Sequence, residues 1–221
     1  LTPVCKAYSS EKAQLICSYA IDVYGGYGYC SEYPVEQYFR DCKIASIYEG
    51  TNGIQALDLV GRKLGGRKGA DVMNLFSEIN TSITKLKKGE DLRKHVAYLE
   101  EACNALIDLT MHFAQLGKSA GFLMPVLNAT PYLEILGDVM IGHFLMQAAG
   151  IADDKLNAIY KERGVEESKG KKRALIHENP DVAFYYGKNA AARFFAVDVL
   201  STVKSRCEAI KFGERIPIEM A

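Results

Sequence analysis

Residues 92–113 read LRKHVAYLEEACNALIDLTMHF, and their spacing decides the fold. Leu92, Val96, Leu99, Cys103, Leu106, Thr110 and Phe113 follow one another in steps of 4-3-4-3-4-3. That interval keeps side chains on one face of a helix turning every 3.6 residues, and a seam so regular belongs to a helix bundle. Outward from it the same period recurs. Val72, Phe76, Ile79, Ile83 and Leu86 mark a helix before it, and Leu133, Leu136, Met140, Phe144 and Ala148 mark one after it. A further helix opens with Asn179 as N-cap, Pro180 at its first position and Asp181 in its first turn, and is expected to stop near Gly213. No segment shows the period of two expected of a strand, so the predicted fold class is all-α.

The N-terminal third continues the pattern. Ala13, Ile16, Cys17, Ala20, Ile21 and Tyr24 predict a helix after Pro3 that ends at Gly25-Gly26. A short helical piece around Val35–Cys42 and a turn at Tyr48–Gly50 follow, then a helix from about Asn52 to Lys63 with Thr51 as N-cap. The stretch GRKLGGRKG at 61–69 holds four glycines, each weakening a helix interior by up to about 1 kcal/mol. It reads as a boundary. Residues 1–64 are expected to form part of one helical bundle, 65–69 a linker, and 70–221 an extension resembling a four-helix bundle.

Composition narrows the function. The 221 residues suffice to bury a core, and 27 basic against 27 acidic side chains leave a formal net charge of zero. That balance argues against a broad nucleic-acid surface. The six cysteines are scattered without a Cys-x-x-Cys pair, so zinc spacing is missing, reduced thiols are expected, and with them a cytoplasmic compartment. No apolar run reads as long enough to span a bilayer, and no signal peptide opens the chain. The start at Leu1-Thr2-Pro3, without methionine, is read as that of a fragment or a processed product.

Several residues could carry chemistry. Gly25-Gly26 and Gly28 permit positive φ, and read either as a helix C-cap with a tight turn or as backbone open to a phosphate or ring system. Glu49 lies just before a helix start, where the dipole favours a carboxylate, and reads either as a capping charge or as a base. His112 and His143 lack a Glu-x-x-His or His-x-x-x-His pairing and read as core or interface residues. Gly170-Lys171-Lys172-Arg173 could bind a phosphate or a nucleic acid, but beside Glu166 and Glu167 it reads as a solvated loop. Phe184–Tyr186 and Phe194-Phe195 read as core or dimer packing.

The combination is more specific than its parts. Tyr24-Gly25-Gly26-Tyr27-Gly28-Tyr29, Tyr33-Pro34-Val35-Glu36, Arg40-Asp41-Cys42-Lys43-Ile44 and Ile47-Tyr48-Glu49-Gly50-Thr51 resemble, in order and spacing, the C-terminal domain of acyl-CoA dehydrogenases. The resemblance covers Pro3 to about Leu64. The region from Ala70 onward resembles the extra C-terminal helical domain of longer family members, such as those acting on 3-methylmercaptopropionyl-CoA. It implies an FAD-dependent oxidation of an acyl-CoA thioester to the 2,3-enoyl product, with Glu49 removing the α-proton and the flavin taking the β-hydride. Tyr48, Glu49 and Gly50 would meet substrate, the Glu49 main-chain N–H donating to the thioester oxygen. FAD contacts fall on Asp22, Val23, Tyr24, Gly25 and Gly26, partly across a subunit interface, and on Thr51, Asn52 and Gly53. Many relatives carry glutamine where this chain has Asp22, and an acid beside pyrophosphate argues against a side-chain contact there. The implied partners are acyl-CoA, an electron-transferring flavoprotein and further copies of the chain as a dimer or tetramer, with no metal. The family's flavin and acyl pocket draw largely on domains that precede this region, so these residues alone are not expected to turn over substrate.

A reading from another class takes the chain as a non-catalytic helical oligomerisation module, supported by the seam at Leu92–Phe113. A degenerate remnant fits less well, because Glu49 and the glycines are intact.

Overall fold

The structure, a computed structural model, describes residues 1–89, 91–116, 121, 123–214 and 216–220. Among them there is no strand, as the periodicity predicts. The α-helices are α1 (Thr2–Tyr24), α2 (Val35–Lys43), α3 (Asn52–Asp58), α4 (Ala70–Leu86), α5 (Arg93–Leu116), α6 (Leu123–Leu127), α7 (Ala129–Glu162), α8 (Lys169–Glu178), α9 (Pro180–Asp198), α10 (Val203–Lys211) and α11 (Ile216–Glu219). They belong to two compact units, one of Leu1–Asp71, Thr110–Gly137 and Phe212–Ala221, the other of Val72–Leu109 and Asp138–Lys211.

In the first unit, α2 and α3 both pack on α1. The buried part of α1 is its opening, at Val4, Ala7 and Tyr8. The expected apolar face further along does not become core: Ile16 and Tyr24 are exposed, while Ala13, Cys17, Ala20 and Ile21 are half-buried. Periodicity marks one face of a helix and cannot say how far along it a partner reaches. Elsewhere in this unit Tyr132 is fully buried, its hydroxyl 2.7 Å from Thr110 Oγ1 and its ring 5.2 Å from that of Phe113.

Gly137 lies directly against Tyr8, where a Cβ would sit 2.1 Å from the ring's Cδ2. Overpacking of this kind costs about 1–3 kcal/mol, more than the helix propensity of about 1 kcal/mol that alanine returns. Gly137→Ala should therefore lower the thermal midpoint, and the drop should shrink in a Tyr8→Ala background that removes the ring.

In the second unit, Phe76, Ile79 and Ile83 of α4 are buried as expected. The seam from Leu92 to Phe113, whose last two members Thr110 and Phe113 belong to the first unit, is fully realised, every one of its seven residues being at most 5% exposed. Asn179 caps α9, its Oδ1 accepting the N–H groups of Asp181 (2.9 Å) and Val182 (3.2 Å). The helix expected to run on to Gly213 is broken at Val199, and a 3₁₀ turn at Leu200–Thr202 leads into α10. The loop expected at Gly170–Arg173 is helical: α8 starts behind Ser168, whose Oγ accepts the N–H of Lys171 at 3.3 Å.

α7 corrects two expectations. It is long and apolar enough to cross a membrane by length and composition, although no apolar run was expected to be. Most of that apolar stretch is buried within the chain, however, and α7 carries the buried Asp138 and His143. Asp138 accepts from Arg206 Nη1 at 2.5 Å, and burial pulls the His143 imidazole below its usual pKa. The buried face beyond Met140 runs through Gly142, His143, Met146 and Ala149, leaving Phe144 more than half exposed. Steps of four from Met140 to Phe144 to Ala148 rotate about 40° each beyond a full turn and walk off that face.

Candidate functional site

Tyr48, Glu49, Gly50, Thr51 and Asn52 make the hinge between the 3₁₀ turn at Ile44–Ser46 and α3. The N–H groups of Ile47 (2.9 Å) and Tyr48 (3.1 Å) both donate to the Ile44 carbonyl, closing the turn. The chain then reverses through two left-handed residues, Glu49 (φ 55°) and Gly50 (φ 79°). Glycine takes that conformation freely, but for glutamate it is a strained state of the sort that persists where surrounding structure enforces it. Thr51 then caps α3, its Oγ1 accepting the Ile54 N–H at 3.3 Å, and its hydroxyl proton stays available to donate.

Asn52 fixes the hinge to α1. Its side-chain nitrogen lies 2.7 Å from Glu11 Oε1, 2.9 Å from Ser10 Oγ and 3.3 Å from the Ala7 carbonyl, while its Oδ1 accepts from Lys6 Nζ at 2.8 Å. The amide is 9% exposed and its capacity is used on α1. Residues 6–11 were not singled out by the sequence; contacts across more than 40 positions leave no local pattern.

Glu49 and Tyr48 line a cleft of about 270 Å³ together with Lys6, Ser9, Ser10, Ala13 and Ala45. The Glu49 side chain is exposed, and among the described residues neither its carboxylate nor its main-chain N–H has a partner. One residue on the wall of this cleft thus carries a carboxylate and a main-chain donor without partners among the described residues, the pair needed to take a proton beside a carbonyl and to steady the resulting oxyanion.

The second group of candidate residues stands elsewhere on α1. Asp22, Val23 and Tyr24 form its exposed last turn, and Gly25 (φ 61°) starts a 3₁₀ segment to Tyr29. Gly25 is about 18 Å beyond Ala13 at 1.5 Å per residue, and it is not among the walls of the Glu49 cleft. A Cβ built on Gly25 or Gly26 meets nothing within 4 Å, so the backbone there is open to a ligand. Gly28 differs: a Cβ would come within 2.6 Å of the Ile21 carbonyl, making it a packing glycine. Tyr33 holds the loop, its ring 5.8 Å from Tyr24 and 5.5 Å from Tyr27. Gly53 is open apart from Thr51 Oγ1 at 3.9 Å. The open glycines leave main chain that a ligand could approach. No group of three potential metal ligands occurs among the described residues.

Residues 1–64 match the family model described as "Acyl-CoA dehydrogenase, C-terminal domain", and residues 75–221 match "Acetyl-CoA dehydrogenase C-terminal like". A butyryl-CoA dehydrogenase of Syntrophomonas wolfei is 30% identical over 220 residues, which is 98% of this chain and 33% of that protein. The 3-methylmercaptopropionyl-CoA dehydrogenase of Ruegeria pomeroyi is 31% identical over 205 residues, 90% of this chain and 31% of its own length. Over 61 residues, 28% of this chain and 16% of the relative, a subunit of the caffeyl-CoA reductase–Etf complex of Acetobacterium woodii is 44% identical. The chain spans about a third of the length of these butyryl-CoA and 3-methylmercaptopropionyl-CoA dehydrogenases. It belongs to the acyl-CoA dehydrogenase family and carries the C-terminal helical part of such an enzyme.

Proposed function

We propose that the chain is the base-bearing end of an FAD-dependent enzyme that oxidises an acyl-CoA thioester to the 2,3-enoyl-CoA. The observation that carries this reading is Glu49: a carboxylate and an N–H without partners among the described residues, on one left-handed residue at a cleft, in a chain of this family. The carboxylate takes the α-proton, so a C–H bond breaks, an O–H bond forms, and the electron pair moves toward the thioester oxygen. The Glu49 N–H meets that oxygen as charge develops on it. Tyr48 and Gly50 would meet substrate on either side of Glu49 in sequence. The main chain at Asp22–Gly26 and Thr51, Asn52 (through its backbone) and Gly53 would hold FAD, which when bound would supply the acceptor for the β-hydride.

An electron-transferring flavoprotein is the proposed electron acceptor, supported by the relative that is named as part of an Etf complex. The protein is proposed to act in the cytoplasm as a dimer or tetramer. Residues 65–69 are proposed as the linker between 1–64 and 70–221, supported by family matches that end at 64 and resume at 75. The oligomerisation-module alternative loses its main support, because the seam from Leu92 to Phe113 is buried within the chain itself.

Anaerobic titration of the full-length flavoprotein with acyl-CoAs of graded chain length should bleach the flavin stoichiometrically with at least one of them. A flavin-loaded protein that bleaches with none would contradict the reading.

A further inference from the structure

We infer that Gln55, and not only the motif around the base, sets the working position of Glu49; this rests on the reading of Glu49 as the base. Gln55 Nε2 donates to the Glu49 carbonyl oxygen at 3.1 Å, across the reversal that Glu49 and Gly50 make. A helical side chain leans back toward the N-terminus of its own helix. A glutamine in the first turn of α3 is therefore aimed over the residues preceding the Thr51 cap. Its N–H, donating to the Thr51 carbonyl at 3.0 Å, anchors the residue in the helix. Gln55 is half-buried, so the amide is held where an exposed one would swing free.

The bond falls where it matters. Glu49 occupies a left-handed conformation that non-glycine residues resist, and no other hydrogen bond to its main chain occurs among the described residues. The space is also committed: a Cβ on Gly50 would come within 3.2 Å of Gln55 Nε2, so glycine beside the base and glutamine behind it fit each other. Gln55 touches no reacting atom. It is a positioning residue, acting through the peptide that orients both the Glu49 carboxylate and its N–H.

The test uses the full-length flavoprotein carrying Gln55→Met or Gln55→Glu. Both are close in size to glutamine; the first removes the donor, and the second sets an acceptor against the Glu49 carbonyl. Stopped-flow flavin reduction should slow roughly ten- to a hundred-fold in each, the cost of a modest misplacement, while KM stays within about twofold. The isotope effect with α-deuterated substrate should rise, because proton removal becomes more limiting. Flavin content and thermal midpoint should match the parent's. Parent-like rates and isotope effect would overturn the inference, as would a rate loss accounted for by lost flavin or by unfolding. Glu49→Gln run in parallel separates the two levels. If it reduces flavin as fast as the parent, the base assignment fails; if it is inactive while both Gln55 variants behave as the parent, only the positioning role fails.

Discussion

Glu49→Gln in the full-length flavoprotein is expected to slow flavin reduction by acyl-CoA about 10³-fold, within the range general bases contribute. The amide keeps the size of the side chain and cannot take a proton. The same substitution should be almost silent for stability. Glu49 is exposed and its carboxylate has no partner among the described residues, so the expected change in unfolding free energy is within about 0.5 kcal/mol. The main-chain N–H survives, and acyl-CoA affinity should change little. Stopped-flow reduction beside thermal denaturation of the same preparations checks both halves. A variant that loses rate and stability together would place Glu49 in the scaffold instead.

The largest effect on stability is expected in the bundle. Leu99 stands mid-way along the α5 seam at 0% exposure, and truncating such a leucine costs about 2–5 kcal/mol from lost transfer energy plus the cavity left behind. Leu99→Ala should therefore show a large drop in denaturation midpoint. Phe144→Ala removes a larger side chain from a site 53% exposed, where its ring lies 5.3 Å from that of His143, and should cost only about 1 kcal/mol. Comparable losses from the two would mean that the buried face of α7 is not the one through Gly142, Met146 and Ala149.

What the sequence made legible follows from the range of the forces. The α5 seam could be read because burial there repeats at the period of the helix itself, and the Asn179 and Thr51 caps because a cap is a bond between near neighbours. α8 escaped notice because Lys169, Lys171, Lys172 and Arg173 are polar all along, and a helix held by one cap and one flank shows little apolar period. The break at Val199 carries no glycine or proline to announce it.

At the site, Glu49 and the glycine pair stood out as a motif. The anchoring of Asn52 by Lys6, Ser10 and Glu11 did not, because it joins α3 to α1 across 41 or more positions. Gln55 left a fainter trace: a polar residue in the first turn of a helix, able to reach back over its cap.

The most direct test of Glu49 as the base follows α-hydrogen exchange alone. Full-length parent and Glu49→Gln flavoproteins would be incubated in D₂O with an acyl-CoA whose β-carbon is replaced by sulfur, which can lose an α-proton but no β-hydride. Deuterium entering the α-position with the parent and not with the variant is the expected result; exchange at the parent's rate in the variant would contradict it.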